Sequence, residues 1–352
     1  MTSPVRIALR PGYEISRIIR GGWQLAGGHG GIDAATAIAD LEAACEAGIT
    51  TFDCADIYTG VEELIGAFRA QYARRHGAAA LALVKVHTKC VPDLDKLATL
   101  NRAGVRTIVE RSLQRLRCER LDLVQFHWWD YSVPGVLDAA SWLDELRREG
   151  KIELLGGTNF DTQHTAGLLA AGIPIVSTQV QYSLLDDRPE HGLAALCRRQ
   201  NIHLLAYGTV AGGFLSDRWL GKPEPKPPFT NRSLTKYKLI IDDFGGWALF
   251  QELLQLLRRI AGRLGTDIAS VASAYVLDRP MVAGVIVGAR SRAHLPANRA
   301  IASLKLSTLD HAGIAALLER RRGPAGDTFS LERDRNGPHG SIMKYNLNTA
   351  PA

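Results

Sequence analysis

The feature of the sequence that most constrains its fold is a regular alternation of short β-branched runs with longer segments of helical periodicity. The segments VRTIVERSLQRLRC and VLDAASWLDELRREG, for example, place apolar residues at the spacing of one helix face. The strand-like runs lie in SRIIRGGWQL and at 49–53, 81–89, 121–127, 151–157, 174–180, 202–207 and 282–288. Strand–helix–strand repetition requires parallel pairing with right-handed crossovers, so the chain forms either an open doubly wound sheet or a closed barrel.

The glycine pattern favours the barrel. An open sheet that binds a dinucleotide carries G-x-G-x-x-G after its first strand, and GGWQLAGGHGG does not have that spacing. Eight strand candidates spread over about 250 residues are typical of a closed (β/α)8 barrel. We therefore predict an α/β protein with a TIM barrel as a single domain over residues 1–322.

Two stretches fall outside the repeat. Residues 216–246 begin Pro-rich and follow the seventh strand, which predicts a long loop on the C-terminal face of the barrel. Residues 323–352 are polar but contain Phe329, Ile342, Met343 and Tyr345, which predicts an arm packed on the barrel.

Composition limits the functional class. Hydrophobic residues make up 46% and charged residues 22% of the chain, as in soluble globular proteins. The net charge is +6, but the basic residues are scattered, so a nucleic-acid groove is not expected. Five cysteines without a C-x-x-C pair argue against a disulfide framework or a zinc knuckle. With no apolar stretch near the ~18 residues that span a bilayer, we expect a cytoplasmic enzyme or binding protein.

Polar residues terminate the predicted strands, all on the face where barrel enzymes place their chemistry. In chain order they are Asp53, Lys89, His127, Thr158 with Asn159, Gln179 and Tyr207. Tyr58 follows Asp53 by five residues. Such a series is hard to attribute to packing.

Each residue also has a structural explanation. Asp53 could cap the next helix, and Tyr58 could be an ordinary half-buried aromatic residue. Lys89 could be a solvated strand end. Lys85, four residues earlier on the same face of the strand, is an alternative lysine that would lie deeper inside the barrel. His127 could be a core histidine with a backbone partner. Asn159 could be a turn residue. The joint placement of these residues, rather than any one of them, favours function.

Successive motifs resemble those of the aldo-keto reductases, in the same order and over about residues 15–305. The matching segments are DCADIYTGVEELIG, the VHTK strand end, LDLVQFHWW, GKIELLGGTNF, STQVQYSLLDDR, AYGTVAGGFL and GARSRAHLPAN. The resemblance implies a (β/α)8 barrel that binds NADPH in an extended pose without a Rossmann fold.

The resemblance also assigns roles to residues. It implies a catalytic tetrad of Asp53, Tyr58, Lys89 and His127. Asp53 is also an implied cofactor contact. The other implied contacts are Trp23 and Gln24 beside the nicotinamide ribose and substrate, Thr158, Asn159, Gln179 and Tyr207 at the nicotinamide, Gly208, Thr209, Gly212 and Leu215 along the pyrophosphate, and Arg290, Ser291, His294 and Asn298 at the adenosine 2′-phosphate and adenine.

The sequence departs from the family pattern at several of these positions. Thr158 replaces the commoner Ser, and GTVAGG stands where S-P-L-x-G-G is usual. The adenine segment is Arg-Ser-Arg, and His294 occupies a position where Arg is frequent. Arg290 and Arg292 still offer donors suited to a phosphate, so NADPH is expected and NADH is possible.

The implied reaction is hydride transfer between NADP(H) and a carbonyl or alcohol such as an aldehyde, ketone or sugar. Tyr58 would be the general acid in reduction and the base in oxidation, because Lys89 favours its phenolate and Asp53 holds Lys89. His127 would donate a hydrogen bond that positions the substrate oxygen. No metal is expected. Trp23, Trp128, Trp129 and Tyr131 either wall an aromatic pocket or pack beneath loops.

Two alternatives remain open at this stage. Some proteins similar to the aldo-keto reductases are regulatory subunits of potassium channels, although the presence of His127 favours an enzyme. A different barrel enzyme could use Lys89 to form a Schiff base.

Overall fold

The structure is a computed structural model that describes residues 5–26, 33–288 and 292–348. An antiparallel hairpin precedes eight parallel strands that close into a barrel because the last strand pairs with both the first and the seventh. The hairpin strands are β1 (Arg6–Arg10) and β2 (Tyr13–Ser16), and the barrel strands are β3 (Ile18–Gly21), β4 (Thr51–Asp53), β5 (Lys85–Cys90), β6 (Leu121–Phe126), β7 (Ile152–Thr158), β8 (Ile175–Gln181), β9 (His203–Tyr207) and β10 (Val282–Gly288). The predicted (β/α)8 barrel is confirmed.

Helices surround the barrel. They are α1 (Ala34–Glu46), α2 (Val61–Ala82), α3 (Arg102–Leu116), α4 (Val136–Arg148), α5 (Thr162–Ala170), α6 (Leu193–Gln200), α7 (Arg232–Phe244), α8 (Trp247–Leu264), α9 (Ile268–Leu277), α10 (Leu295–Ile301), α11 (Thr308–Leu318) and α12 (Ser330–Arg333). Of these, α1, α3, α4 and α6 lie where the sequence periodicity predicts them. The apolar faces of the helices and the outward faces of the strands form the main core.

The amino-terminal hairpin fills the N-terminal end of the barrel. Leu9, Tyr13 and Ile15 are buried against inward-facing barrel residues such as Ile19 and Leu123. This hairpin is not among the predicted elements, because its strands are only five and four residues long and carry several charged side chains. With this end filled, the C-terminal end is left for chemistry.

Two predicted boundaries were wrong. The segment predicted as a strand over 81–89 begins instead as the end of α2, and β5 starts only at Lys85. The Ala-rich stretch before it has high helix propensity and resumes the helix after a break at Gly77. The predicted loop 216–246 contains α7, whose first turn is capped by the Asn231 side chain and whose apolar face is buried.

The carboxyl-terminal residues pack on the C-terminal end of the barrel. Glu332 in α12 is buried and accepts hydrogen bonds of 2.9 and 3.1 Å from the Arg188 guanidinium, which also bonds to Asp186. Further along, the Asn348 amide donates to the backbone oxygen of Val91 at 2.9 Å. The division into a domain over 1–322 and an arm over 323–352 stays a prediction.

We expect Arg188→Met to lower the free energy of unfolding by about 3–5 kcal/mol, because it removes the main partner of two buried carboxylates. Urea denaturation measures this change. The control is Arg335→Met, since Arg335 pairs with Asp130 at 3.0 Å on the surface and such pairs contribute about 0–1 kcal/mol. Equal losses in the two variants would contradict the buried network.

Candidate active site

A buried ion pair joins two adjacent strand ends. Asp53 is the last residue of β4 and Lys89 lies near the end of β5, and both side chains are buried. The Lys89 ammonium lies 2.9 and 2.8 Å from the two Asp53 carboxylate oxygens and donates to the backbone oxygen of Cys54 at 2.7 Å. Asp53 does not cap the following helix, because α2 begins at Val61 with Gly60 at its N-cap.

Tyr58 lies beside this pair, in the turn between β4 and α2. The Lys89 nitrogen is 5.1 Å from the centre of the Tyr58 ring, and the Trp23 ring packs against Tyr58 with centroids 5.0 Å apart. The phenol is half-buried. The structure therefore brings the predicted proton donor next to the predicted ammonium.

The pKa values show how the three groups act on one another. Burial raises the pKa of Tyr58, the Lys89 charge lowers it, Asp53 raises it, and the net pKa lies above the usual phenol value. Burial would lower the pKa of Lys89, but Asp53 and Tyr58 raise it, and the net pKa is raised. Lys89 thus stays protonated and stabilises the phenolate, although part of its effect is cancelled by its own counter-ion.

Two glutamine amides complete the surroundings of Asp53. The Gln125 amide donates to an Asp53 oxygen at 3.1 Å, and the Gln179 amide donates to the same oxygen at 2.5 Å. Gln179 also donates to the Gln125 side-chain oxygen at 3.1 Å. Gln125 is not among the residues predicted from the sequence, although strand alternation could have identified it: it lies on β6 two residues before His127, and residues two apart in an extended segment point to the same side.

His127 follows β6 and is buried. Its Nδ1 lies 3.0 Å from the backbone oxygen of Thr158, so this nitrogen carries the proton and donates it to the carbonyl. Burial and the nearby Arg333 charge lower the pKa of His127 to about 3, and the ring is neutral near pH 7. In that tautomer Nε2 accepts hydrogen bonds, so the predicted donor role would need a second proton on the ring.

The residues expected at the nicotinamide lie together on three adjacent strand ends. The Tyr207 hydroxyl donates to the Asn159 side-chain oxygen at 2.9 Å, and the Asn159 backbone nitrogen donates to the backbone oxygen of Gln179 at 2.9 Å. Asn159 has a left-handed backbone (φ 60°), which turns the chain sharply after β7. Thr158 is buried at the end of that strand, with its hydroxyl 3.4 Å from the Gln179 carbonyl oxygen.

In the loop after β9, two of the residues expected along the pyrophosphate have buried side chains. Thr209 is buried with its hydroxyl 2.9 Å from that of Ser273, and Leu215 is buried in the core. Gly208 and Gly212 have positive φ angles of 76° and 63°. A Cβ at Gly208 would lie 2.2 Å from the Tyr237 hydroxyl, so α7 packs directly on this loop.

The residues expected at the ribose and adenosine are divided between two regions. The Gln24 amide lies against the end of β10, where a Cβ on Gly288 would be 2.8 Å from it. The buried Asn298 side-chain nitrogen has no hydrogen-bond partner among residues 5–26, 33–288 and 292–348, which fits a ligand that accepts a hydrogen bond. His294 is exposed, and the Arg292 Nε lies 2.5 Å from an Asp40 oxygen. Arg290 and Ser291 lie outside the described residues.

Among the predicted aromatic residues, Trp128 has a packing role. It is fully buried and donates its indole N–H to Val133 at 3.1 Å. Trp129 contacts the His127 ring edge-on, with centroids 4.3 Å apart, and Tyr131 stacks on His164. Trp23 and Trp129 thus flank the residues predicted to be catalytic, whereas Trp128 supports the loop beneath them.

The predicted loop 216–246 and the predicted carboxyl-terminal arm also contact the site, through residues that the sequence did not identify. The Phe329 ring packs edge-on against His127 at 5.6 Å, and the Lys236 nitrogen lies 5.5 Å from the centre of the Tyr207 ring. Lys236 pairs with Glu332 at 3.6 Å. No local periodicity reports these contacts, because they depend on the tertiary path of both segments.

Comparison with known proteins identifies the family. The family model described as Aldo/keto reductase family matches residues 17–319. The aldo-keto reductase YhdN of Bacillus subtilis (strain 168) is 30% identical over 90% of this chain and 95% of its own length. The chain therefore belongs to the aldo/keto reductase family, which consists of NAD(P)-dependent oxidoreductases of carbonyl and alcohol compounds.

Other relatives and solved structures agree with this assignment. The NADH-specific methylglyoxal reductase of Escherichia coli (strain K12) is 26% identical over 84% of this chain and 92% of its own length. The glycerol dehydrogenase AKR11B4 from Gluconobacter oxydans has the same fold, with a TM-score of 0.76 at 23% identity over 94% of this chain and 99% of that one.

Among the helices of the described ranges, none combines the length and apolar character that crossing a lipid bilayer requires.

The buried histidines predict a pH dependence of stability. Burial, with Lys89 and Lys85, lowers the pKa of His87 to about 3, compared with 6.5 in the unfolded chain. His127 has the same depressed pKa. Between about pH 3 and pH 6.5 these histidines bind a proton only in the unfolded chain. The free energy of unfolding therefore falls as the pH falls through this range.

We expect His87→Leu to reduce the slope of unfolding free energy against pH, between about pH 4 and pH 6, by about 1.4 kcal/mol per pH unit. Urea denaturation over that range measures the slope. Leu123→Ala also removes side-chain atoms from the barrel interior but no titratable group. Its slope of unfolding free energy against pH should therefore match that of the wild type. An unchanged slope in His87→Leu would refute the depressed pKa.

Proposed function

We propose that this protein is an NADP-dependent aldo-keto reductase that interconverts a carbonyl compound and its alcohol, with Tyr58 as the proton donor and acceptor. The observation that carries the proposal is the buried Lys89–Asp53 pair beside the Tyr58 phenol. Membership of the family supports the reaction class. The roles of the residues are those that the resemblance implies, and the geometry of the buried pair supports them.

Within this proposal the cofactor is held by the strand ends and loops of the C-terminal face. Thr158, Asn159, Gln179 and Tyr207 would hold its nicotinamide, with Trp23 and Gln24 beside the ribose. The backbone of the loop after β9 would follow the pyrophosphate, and Asn298 would bind near the adenine. When bound, the nicotinamide supplies or accepts the hydride.

The protein's own residues handle the proton. In reduction the substrate oxygen gains negative charge, and the Tyr58 hydroxyl gives it a proton as that charge develops. The resulting phenolate is stabilised by the Lys89 ammonium, which Asp53 keeps charged in a buried position. In alcohol oxidation the phenolate takes the proton back.

His127 orients the substrate rather than supplying a proton. Its neutral ring presents Nε2 as an acceptor, which suits the hydroxyl of an alcohol or a hydroxyl group beside a carbonyl. Trp23 and Trp129 restrict the directions from which a substrate reaches Tyr58 and His127. These contacts position the reacting oxygen.

NADPH is the proposed cofactor because the sequence carries two basic residues, Arg290 and Arg292, in the segment that the family resemblance assigns to the 2′-phosphate. Arg292 is paired with Asp40, and one relative is named as NADH-specific, so NADH is the alternative. Parallel assays with the two cofactors distinguish them. A lower kcat/KM with NADPH than with NADH would overturn this part of the proposal.

Tyr58→Phe should lower kcat for an aldehyde by at least about 100-fold, because it removes the general acid while keeping the ring. Absorbance of the reduced cofactor measures turnover, and quenching of tryptophan fluorescence measures cofactor affinity, which should stay close to the wild-type value. Tyr72→Phe is the matched control, since Tyr72 lies on α2 against Phe68 and His76. A Tyr58→Phe enzyme with near-normal kcat would refute the assignment.

A further inference from the structure

Arg333 brings a cation from the carboxyl-terminal residues to the backbone that carries His127. It is the last residue of α12, and its Nη2 donates to the backbone oxygen of Trp128 at 3.0 Å. The centre of the guanidinium lies 4.0 Å from the Tyr131 ring and 5.3 Å from the Phe329 ring. The group is thus held in one place by two aromatic rings and one hydrogen bond.

Within the part of the chain that the structure describes, most of this guanidinium has no hydrogen-bond partner. Its Nε and Nη1 atoms are both buried, and no described residue bonds to either of them. No carboxylate of the described residues lies within ion-pair distance of it: Glu332 pairs with Arg188 and Lys236, and Asp161 bonds to the first turn of α5 and to His164. A buried charge without a counter-ion is unfavourable, so an anion at this position would be strongly stabilised.

The position is also next to the proposed catalytic residues. Phe329 packs against both the His127 ring and the Arg333 guanidinium, so a substrate that displaces this ring meets both groups. The Nε2 atom of His127 is likewise buried and has no partner among the residues that the structure describes. Burial lowers the pKa of His127, and the Arg333 charge lowers it further, which is consistent with a short distance between the two groups.

We propose that Arg333 is a specificity residue that binds the carboxylate of the substrate while Tyr58 addresses its carbonyl oxygen. The substrate class is then a carbonyl compound with a carboxylate, such as a 2-oxo acid or an aldehyde acid. A single unpaired guanidinium matches one negative charge, because the neighbouring cations Arg188 and Lys236 are already engaged by Glu332. This inference rests on the proposed function.

The experiment compares matched acids and esters as substrates. The pairs are 4-carboxybenzaldehyde with methyl 4-formylbenzoate, and phenylglyoxylate with methyl phenylglyoxylate. Charge-assisted hydrogen bonds predict that the wild-type kcat/KM favours the acid by about 10- to 100-fold. Arg333→Met should lower kcat/KM for the acid at least about tenfold more than for the ester, mainly through KM, and Arg333→Lys should restore part of the preference.

Arg335→Met is the matched control, since Arg335 lies two residues further on, is paired with Asp130 at the surface and should leave the acid-to-ester ratio unchanged. If Arg333 had a purely structural role, Arg333→Met would lower kcat/KM equally for the acid and the ester and would also lower the melting temperature. That result would overturn the inference. The acid-to-ester ratio of kcat/KM in the wild-type enzyme is a test in itself, and a wild-type preference for the ester would also overturn the inference. If the wild type reduced none of these compounds and no neutral aldehyde with either cofactor, the proposed function itself would fail.

Discussion

The buried ion pair between Lys89 and Asp53 is the interaction on which the rest of the site depends. A lone ammonium at this depth would lose its proton, and a lone carboxylate would gain one, because burial disfavours either charge. Together they keep the pKa of Lys89 raised despite its burial. The Gln125 and Gln179 amides add two donors to Asp53, so the pair is fixed in position as well as in charge.

The fold determines where this pair can act. Closing the sheet brings the ends of β4 to β9 to one face, and the amino-terminal hairpin fills the opposite end. The carboxyl-terminal residues then cover the open face, where Glu332 ties α12 to Arg188 and Phe329 packs on His127. The hydride-transfer site we propose therefore lies between the barrel and a cover whose side chains, in our proposal, select the substrate.

The barrel and the positions of Asp53, Tyr58, Lys89 and His127 could be predicted because strand ends in a closed parallel barrel share one face. What depends on tertiary contacts could not be predicted. Helix α7 was assigned to a loop because its segment begins Pro-rich, and Arg333 lies in a polar tail without periodicity. The donor role expected of His127 depends on its tautomer, which the Thr158 carbonyl determines and the sequence does not reveal.

The most direct test of the central claim is the titration of the Tyr58 phenol with and without the Lys89 charge. Tyrosine labelled with carbon-13 at the ring carbon that bears the hydroxyl reports ionisation by NMR, and the Tyr58 signal is assigned by its absence in Tyr58→Phe. If Lys89 stabilises the phenolate, Lys89→Met shifts the Tyr58 titration to higher pH than in the wild type. A Tyr58 titration that stays at the same pH, or moves lower, would contradict this account.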